Sequence, residues 1–183
     1  MKKTLFLLFI LSFSLPMFAQ NTTLTLLNGI EYQLENKKWE VEPNKTINVP
    51  YHFEYQLQDK KQVSKLRVRI NSMDYKLKDS IYSDLEIKKR TALGELEDFK
   101  SKLSKLKNEN LIITYLSQDD YKGFKLLTVI IKMQNDKTNH VVMSIGIKVL
   151  NDYLVVGVSI ENFVNSTSEE SIALLKKHLK RIK

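Results

Sequence analysis

Three histidines, His52, His140 and His178, are the side chains best suited to acid–base or metal chemistry near neutral pH. They fall on three different predicted elements. None has a second His or a carboxylate at a recognised ligand spacing such as His-Glu-x-x-His, so they read as ordinary surface or boundary residues. Ser104-Lys105-Leu106-Lys107 matches Ser-x-x-Lys, the nucleophile motif of penicillin-recognising enzymes. It lies in a helix tail rich in both residue types and has no Ser-Asp-Asn or Lys-Thr-Gly companion, which makes it a product of composition. Asp119 and Asp120 stand together ahead of Tyr121 and could attract a cation. Calcium, however, takes about six to eight oxygens, and no loop of EF-hand type supplies them. They are expected in a solvated turn.

The strongest concentration of charge is at the C-terminus, where Lys176, Lys177, Lys180, Arg181 and Lys183 crowd one helix end. Such a cluster could meet an acidic protein or an anionic membrane surface. The simpler account is that cations complement the helix dipole and keep a face wet. Thr114, Tyr115, Tyr121 and the strand face bearing His52 and Glu54 are further candidates for a partner surface. Nothing in the sequence selects among them. The expectation is therefore no catalytic residue, no cofactor-binding residue and no metal ligand, with the partner-binding residues unknown.

Composition narrows the chemistry further. With no Cys, the chain has no thiol nucleophile, cysteine zinc site, iron–sulfur cluster, disulfide or lipobox lipid anchor. Five scattered Gly build no phosphate-cradling loop, and no Gly-x-Ser-x-Gly, Walker A or Gly-x-Gly-x-x-Gly is present. At 183 residues the expectation is a signal peptide over 1–19 followed by one domain over 20–183. Lys2 and Lys3 form the positive start of that signal, Leu5 to Leu15 its apolar stretch, and Pro16 to Ala19 its cleavage region. The apolar stretch falls short of the roughly 20 residues that span a bilayer. The mature protein is thus expected in the periplasm or secreted, with no stable membrane insertion. Two of the 29 basic residues leave with the signal and none of the 21 acidic ones, so the net charge of +8 becomes +6. All but four of the basic residues are Lys. Nucleic-acid recognition favours the planar fork of Arg, and export argues against that partner too.

The elements that would carry these residues follow from periodicity. Residues 23–35 predict a hairpin turning at Asn28-Gly29, a pair suited to two positive φ angles. Residues 20–38 could be an extension to the main fold. Trp39 and Val41 follow. Alternation over 49–57 predicts a strand with Val49, Tyr51, Phe53, Tyr55 and Leu57 buried and His52, Glu54 and Gln56 wet. Pro50 places it at an edge. Leu66, Val68 and Ile70 mark a second strand. From Ser83 to Lys107 the period becomes helical, with Leu96, Phe99, Leu103 and Leu106 on one stripe and Gly94 within it. A meander follows: Leu111–Leu116, a polar turn over Ser117–Gly123, then Phe124–Met133, His140–Leu150 and Tyr153–Ile160. Phe124–Met133 is apolar on both faces, as a central strand would be. Thr167 and Glu170 fit a capping box that opens a final helix with Ile172, Leu175, Leu179 and Ile182 inward.

This layout is an α+β sandwich, a mostly antiparallel sheet with a mid-chain helix and a C-terminal helix. Over roughly residues 39–183 it resembles the PsbP/DcrB-like superfamily of α/β/α sandwiches. The features that carry the resemblance are Trp39-Glu40-Val41, the long helix, and the strand entered through Tyr121-Lys122-Gly123-Phe124. Two more strands and the terminal helix with Leu175, Leu179 and Ile182 complete it. The resemblance implies a non-enzymatic protein that binds or assembles with another protein of the bacterial envelope. The alternative from a different class is a periplasmic carrier holding a lipid or other apolar ligand between helix and sheet.

Overall fold

A computed structural model describes residues 23–35, 38–43, 50–61, 66–78, 92–106, 111–135, 138–151 and 153–183. The expected signal segment, Val49, residues 83–91 of the expected helix and Lys107 lie outside that set, as do the side chains of Leu96 and Leu106. The hairpin forms from β1 (Thr23–Thr25) and β2 (Glu31–Gln33), paired antiparallel. Asn28 and Gly29 turn it with φ of 54° and 73°, and Ile30 N–H donates to the Leu27 carbonyl at 3.2 Å. Both central residues are left-handed, as the primed turn requires.

Seven further strands make one antiparallel sheet: β3 (Trp39–Pro43), β4 (His52–Asp59), β5 (Arg67–Asp74), β6 (Leu111–Tyr121), β7 (Phe124–Met133), β8 (His140–Val149) and β9 (Leu154–Val164). Their spatial order is β3-β4-β5-β9-β8-β7-β6, so the last strand in sequence lies at the centre. A short helix, α1 (Tyr75–Lys78), follows β5, and α2 (Ala92–Leu106) precedes β6. The terminal helix is α3 (Ser168–Leu179), opened by the expected box. Glu170 N–H donates to Thr167 Oγ1 at 3.1 Å, and Thr167 N–H donates to the Glu170 carboxylate at 2.9 Å.

The helices cover opposite faces. On one face α3 and the hairpin bury a continuous core that includes Leu24, Ile30, Tyr32, Val68, Ile70, Leu126, Val156, Ile160, Leu175 and Leu179. The chain end completes this layer by pairing with β2: Lys183 N–H donates to Glu31 O at 2.8 Å and Gln33 N–H to Arg181 O at 3.0 Å. On the other face Phe99 and Leu103 of α2 pack with Ile113, Leu127, Val129, Ile147 and Val155. The arrangement is an α+β sandwich with the sheet as its middle layer.

Three details depart from the sequence reading. The polar stretch Ser117–Tyr121 is strand: β6 runs on to Tyr121 with an irregularity between Tyr115 and Ser117, and only Lys122-Gly123 turns. Residues of an edge strand stay solvated, so Asp119 and Asp120 are tolerated there. Pro50 does not mark an edge, because β3 lies outside β4; it precedes the strand instead. Glu54 is buried while Phe53 is 36% exposed, the reverse of the alternation rule. Glu54 shares its face with Arg69, whose Nε lies 3.7 Å from its carboxylate, and a paired charge can be buried.

Candidate functional site

The residues that converge at the surface do so around the β6–β7 turn. Lys122 (φ 50°) and Gly123 (φ 81°) make a two-residue connection that sets Tyr121 directly opposite Phe124. Antiparallel partners share a face, and Leu126 of the same strand is in the α3-side core. Tyr121 and Phe124 therefore point toward α3. Lys148 belongs to the same face through its alternation with Gly146, on which Leu179 of α3 packs.

Three lysines from three elements meet these two rings. Lys176 Nζ of α3 lies 5.3 Å from the Tyr121 ring centre and Lys122 Nζ 6.0 Å from it, while Lys148 Nζ lies 5.6 Å from the Phe124 ring. The ring quadrupole attracts an ammonium at such distances by about 0.5–1 kcal/mol at exposed sites, enough to bias where long side chains rest. The nearest acids answer little of this charge. Asp119 reaches Lys176 only at 4.0 Å, and Asp120 is paired with Lys125 at 2.8 Å. Among the described residues, Lys122, Lys148 and Lys180 form no ion pair. The result is a basic surface with an aromatic floor.

The crowded cations of the terminal helix thus divide in two. Lys177 and Arg181 turn the other way and hold Glu35 beside the hairpin at 2.8 Å and 3.0 Å. The hydrogen bond from Lys177, with the charge of Arg181, keeps the Glu35 carboxyl below the usual range. Of the remaining three, Lys176 is the one that reaches the turn, at the Tyr121 ring. Tyr121 was legible as a candidate, whereas Lys122, Phe124 and Lys148 were not. Period-two alternation across a two-residue turn would have found them.

The other candidates are placed apart from this surface. His178 is buried and stacks beside Tyr32, whose hydroxyl lies 2.5 Å from His178 Nδ1; Trp39 meets it edge-on at 5.3 Å. It is a core residue and not the boundary residue expected, because the hairpin and Trp39 close over α3. Burial, helped by the charges of Arg181 and Lys177, drives its pKa down to about 3, so it is neutral at ordinary pH. Burial likewise pushes the Tyr32 phenol up. His140 Nε2 lies 2.9 Å from Ser166 O, and His52 Nε2 lies 3.9 Å from Glu54. Ser104 donates to the Lys100 carbonyl at 2.9 Å, an ordinary helix contact. Tyr115 is tied to α2 by donating to Lys100 O at 3.1 Å, and Thr114 is exposed on β6. Among the described residues, no three His, Asp or Glu cluster as a metal site would require.

A second feature lies on the α2 face. A cleft of about 140 Å³ separates α2 from the sheet, with Met73, Phe99, Ile145 and Val155 as apolar walls and Asn71, Lys102 and Ser159 as polar ones. Beside it the face turns ionic: Arg69 Nε lies 3.1 Å from Glu161 and is shared with Glu54. Burial raises the Glu161 pKa, and the charge of Arg69 opposes that rise.

No protein-family profile matches the chain, and no curated protein does. Among solved structures, the chain is similar to the solution structure of cyanobacterial PsbP (CyanoP) from Synechocystis sp. PCC 6803. The likeness covers 92% of this chain and 94% of that one, with a TM-score of 0.56 and 10% sequence identity. The chain has a PsbP-like α+β fold, as the resemblance of layout implied. At this identity the likeness concerns fold alone.

Proposed function

We propose that this protein is an exported, non-catalytic accessory domain of the bacterial envelope that binds another protein through the basic surface around Tyr121. The observation that carries this reading is the convergence of Lys122, Lys148 and Lys176 on two adjacent rings, with a single weakly placed carboxylate to answer them. Aromatic rings are enriched at protein interfaces, and the lysines about them supply charge complementary to an acidic partner. Lysine point charges attract clustered carboxylates, and the planar fork that base recognition favours is absent from this surface. The partner is accordingly an envelope or secreted protein with an acidic patch, and nucleic acid is not a ligand. The PsbP-like fold supports an accessory role, since the resemblance implies one. A lipid carrier is the weaker reading, because the cleft under α2 measures about 140 Å³ and ligand pockets begin near roughly 300 Å³. No helix among the described residues is long and apolar enough to cross a membrane.

The test is in-cell cross-linking and immunoprecipitation of the full chain from the native host's envelope fraction, in wild type and in a Lys148→Glu, Lys176→Glu double variant. A stoichiometric partner retained by the wild type and lost from an equally abundant variant is the expected result. A partner retained equally by both, or a wild-type chain that remains bare, would overturn the assignment.

A further inference from the structure

We infer that Asn28 is a site of spontaneous chemical modification: the Gly29 backbone nitrogen displaces its side-chain amide, and water then leaves aspartate or isoaspartate in the turn. This does not rest on the protein-binding reading, since it concerns the hairpin and not the Tyr121 surface. Of the five glycines only Gly29 follows an asparagine. Both residues are exposed, and the place where a side chain on Gly29 would begin has nothing within 4 Å. Without a Cβ beside it, that nitrogen is unhindered as a nucleophile. Backbone conformation alone does not single out Asn28, because Asn165 is also exposed and has the same φ of 54°. The Asn165 amide, however, is held at both ends: Oδ1 accepts from His140 N–H at 3.1 Å and Nδ2 donates to Asn139 Oδ1 at 3.0 Å. Among the described residues the Asn28 amide makes one hydrogen bond, from Nδ2 to Asp74 Oδ2 at 3.4 Å, which is long for such a bond.

Ring closure needs rotation about the Asn28 Cα–C bond, whose ψ is 31° in the turn, so the reaction runs through a briefly opened hairpin end. The turn is tied to β5 by the Asp74 contact and by Leu27 N–H donating to Ser72 Oγ at 2.9 Å. In the step itself Gly29 N bonds to Asn28 Cγ, the Cγ–Nδ2 bond breaks, and ammonia leaves with the proton from Gly29 N. Water then opens the cyclic imide. Opening at Cγ gives aspartate, and opening at the original peptide carbonyl gives isoaspartate, whose backbone is one carbon longer. One water is consumed and one ammonia released, with no change of oxidation state. Either product replaces the amide donor facing Asp74 with a carboxylate. Asp74 is buried, and its other oxygen accepts from Lys76 N–H at 2.9 Å, so it turns from the new charge only by giving up that bond. Like charges at such a distance repel, and the hairpin end is loosened from β5.

The test is incubation of the purified protein in mildly alkaline buffer made with oxygen-18 water, followed by mass mapping of its peptides. Heavy oxygen should enter at residue 28, as both aspartate and isoaspartate, well ahead of any change at Asn165. Ser72→Ala, which removes one of the two ties to β5, should speed the modification about fivefold, the change in opened fraction that one lost hydrogen bond gives. Asn28→Asp, which encodes one product directly, should lower the Tm by about 2–4 °C. That drop should largely disappear in an Asp74→Asn background, where the second carboxylate is absent. The proposal is overturned if Asn28 changes no faster than Asn165, if Ser72→Ala leaves the rate as it was, or if Asn28→Asp melts as the wild type does.

Discussion

The two faces of the sheet are built from the same strands by the same alternation, yet they are finished differently. Under α3 the packing is closed: Leu175 is fully buried, and a Cβ added to Gly146 would lie 2.9 Å from both Leu126 Cδ2 and Leu179 Cδ1. Even the polar groups there are joined into that layer. Thr128, Ser144 and Ser171, all buried, form a chain of hydroxyl hydrogen bonds of 2.9 Å and 2.8 Å from β7 through β8 into α3. Under α2 the packing stops short, leaving a cleft and an ionic row about Arg69. Close packing is what makes each buried side chain count toward stability. The α3 face is closed throughout, and the α2 face keeps a gap in its packing.

Truncation should break this symmetry most clearly. Leu175→Ala is expected to cost about 3–4 kcal/mol in urea unfolding, whereas Phe99→Ala, beside the cleft, should cost less than half as much. Equal losses would show that the faces contribute alike. Added bulk sharpens the contrast: Gly146→Ala should destabilise by about 1–3 kcal/mol through its contacts with Leu126 and Leu179. Val155→Ile, which extends toward the cleft, should stay within about 0.5 kcal/mol of wild type.

Acid should also act mainly on the closed face. Above pH 6.5 His178 is neutral in both states, but below it the unfolded chain takes up a proton that the folded chain refuses until about pH 3. Stability should therefore fall as pH drops through that window, by up to about 1.4 kcal/mol per unit. The lowered Glu35 acts in the same direction at lower pH, and the raised Glu161 on the other face opposes it. His178→Leu should flatten the slope between pH 6.5 and 4.5; an unchanged slope would place the acid sensitivity elsewhere. A modest effect is expected from the hydroxyl chain. Ser171→Ala should cost about 1 kcal/mol, against less than about 0.5 kcal/mol for the exposed Ser104→Ala. A thermal melt of the two variants decides it.

Much of the architecture was legible from the order of residues. The Asn28-Gly29 turn, the doubly apolar β7, the β8 face of Met143, Ile145, Ile147 and Val149, and the Thr167–Glu170 box all appear where the pattern places them. The apolar character of β7 reflects cover by both helix layers, although it is second from an edge and the central strand is β9. The proposed binding surface was less legible. Tyr121 stood out by type, but its lysine companions come from positions 122, 148 and 176 and share no motif. The cleft left no trace in the sequence, since each of its lining residues reads singly as core or wet face.

Local rules of backbone and side chain account for what the chain specifies alone: turns with positive φ, a capped helix, and a period of two or near four that names one face of each element. Those rules act within a few residues and say nothing about which face meets which. The pairing of β5 with β9, the closure of the hairpin and Trp39 over His178, and the pairing of Glu54 with Arg69 arise only when distant segments meet. Burial of a polar group is a property of its surroundings rather than of its residue type, which is why His178 and Glu54 were misread from pattern while Leu175 and Leu179 were not.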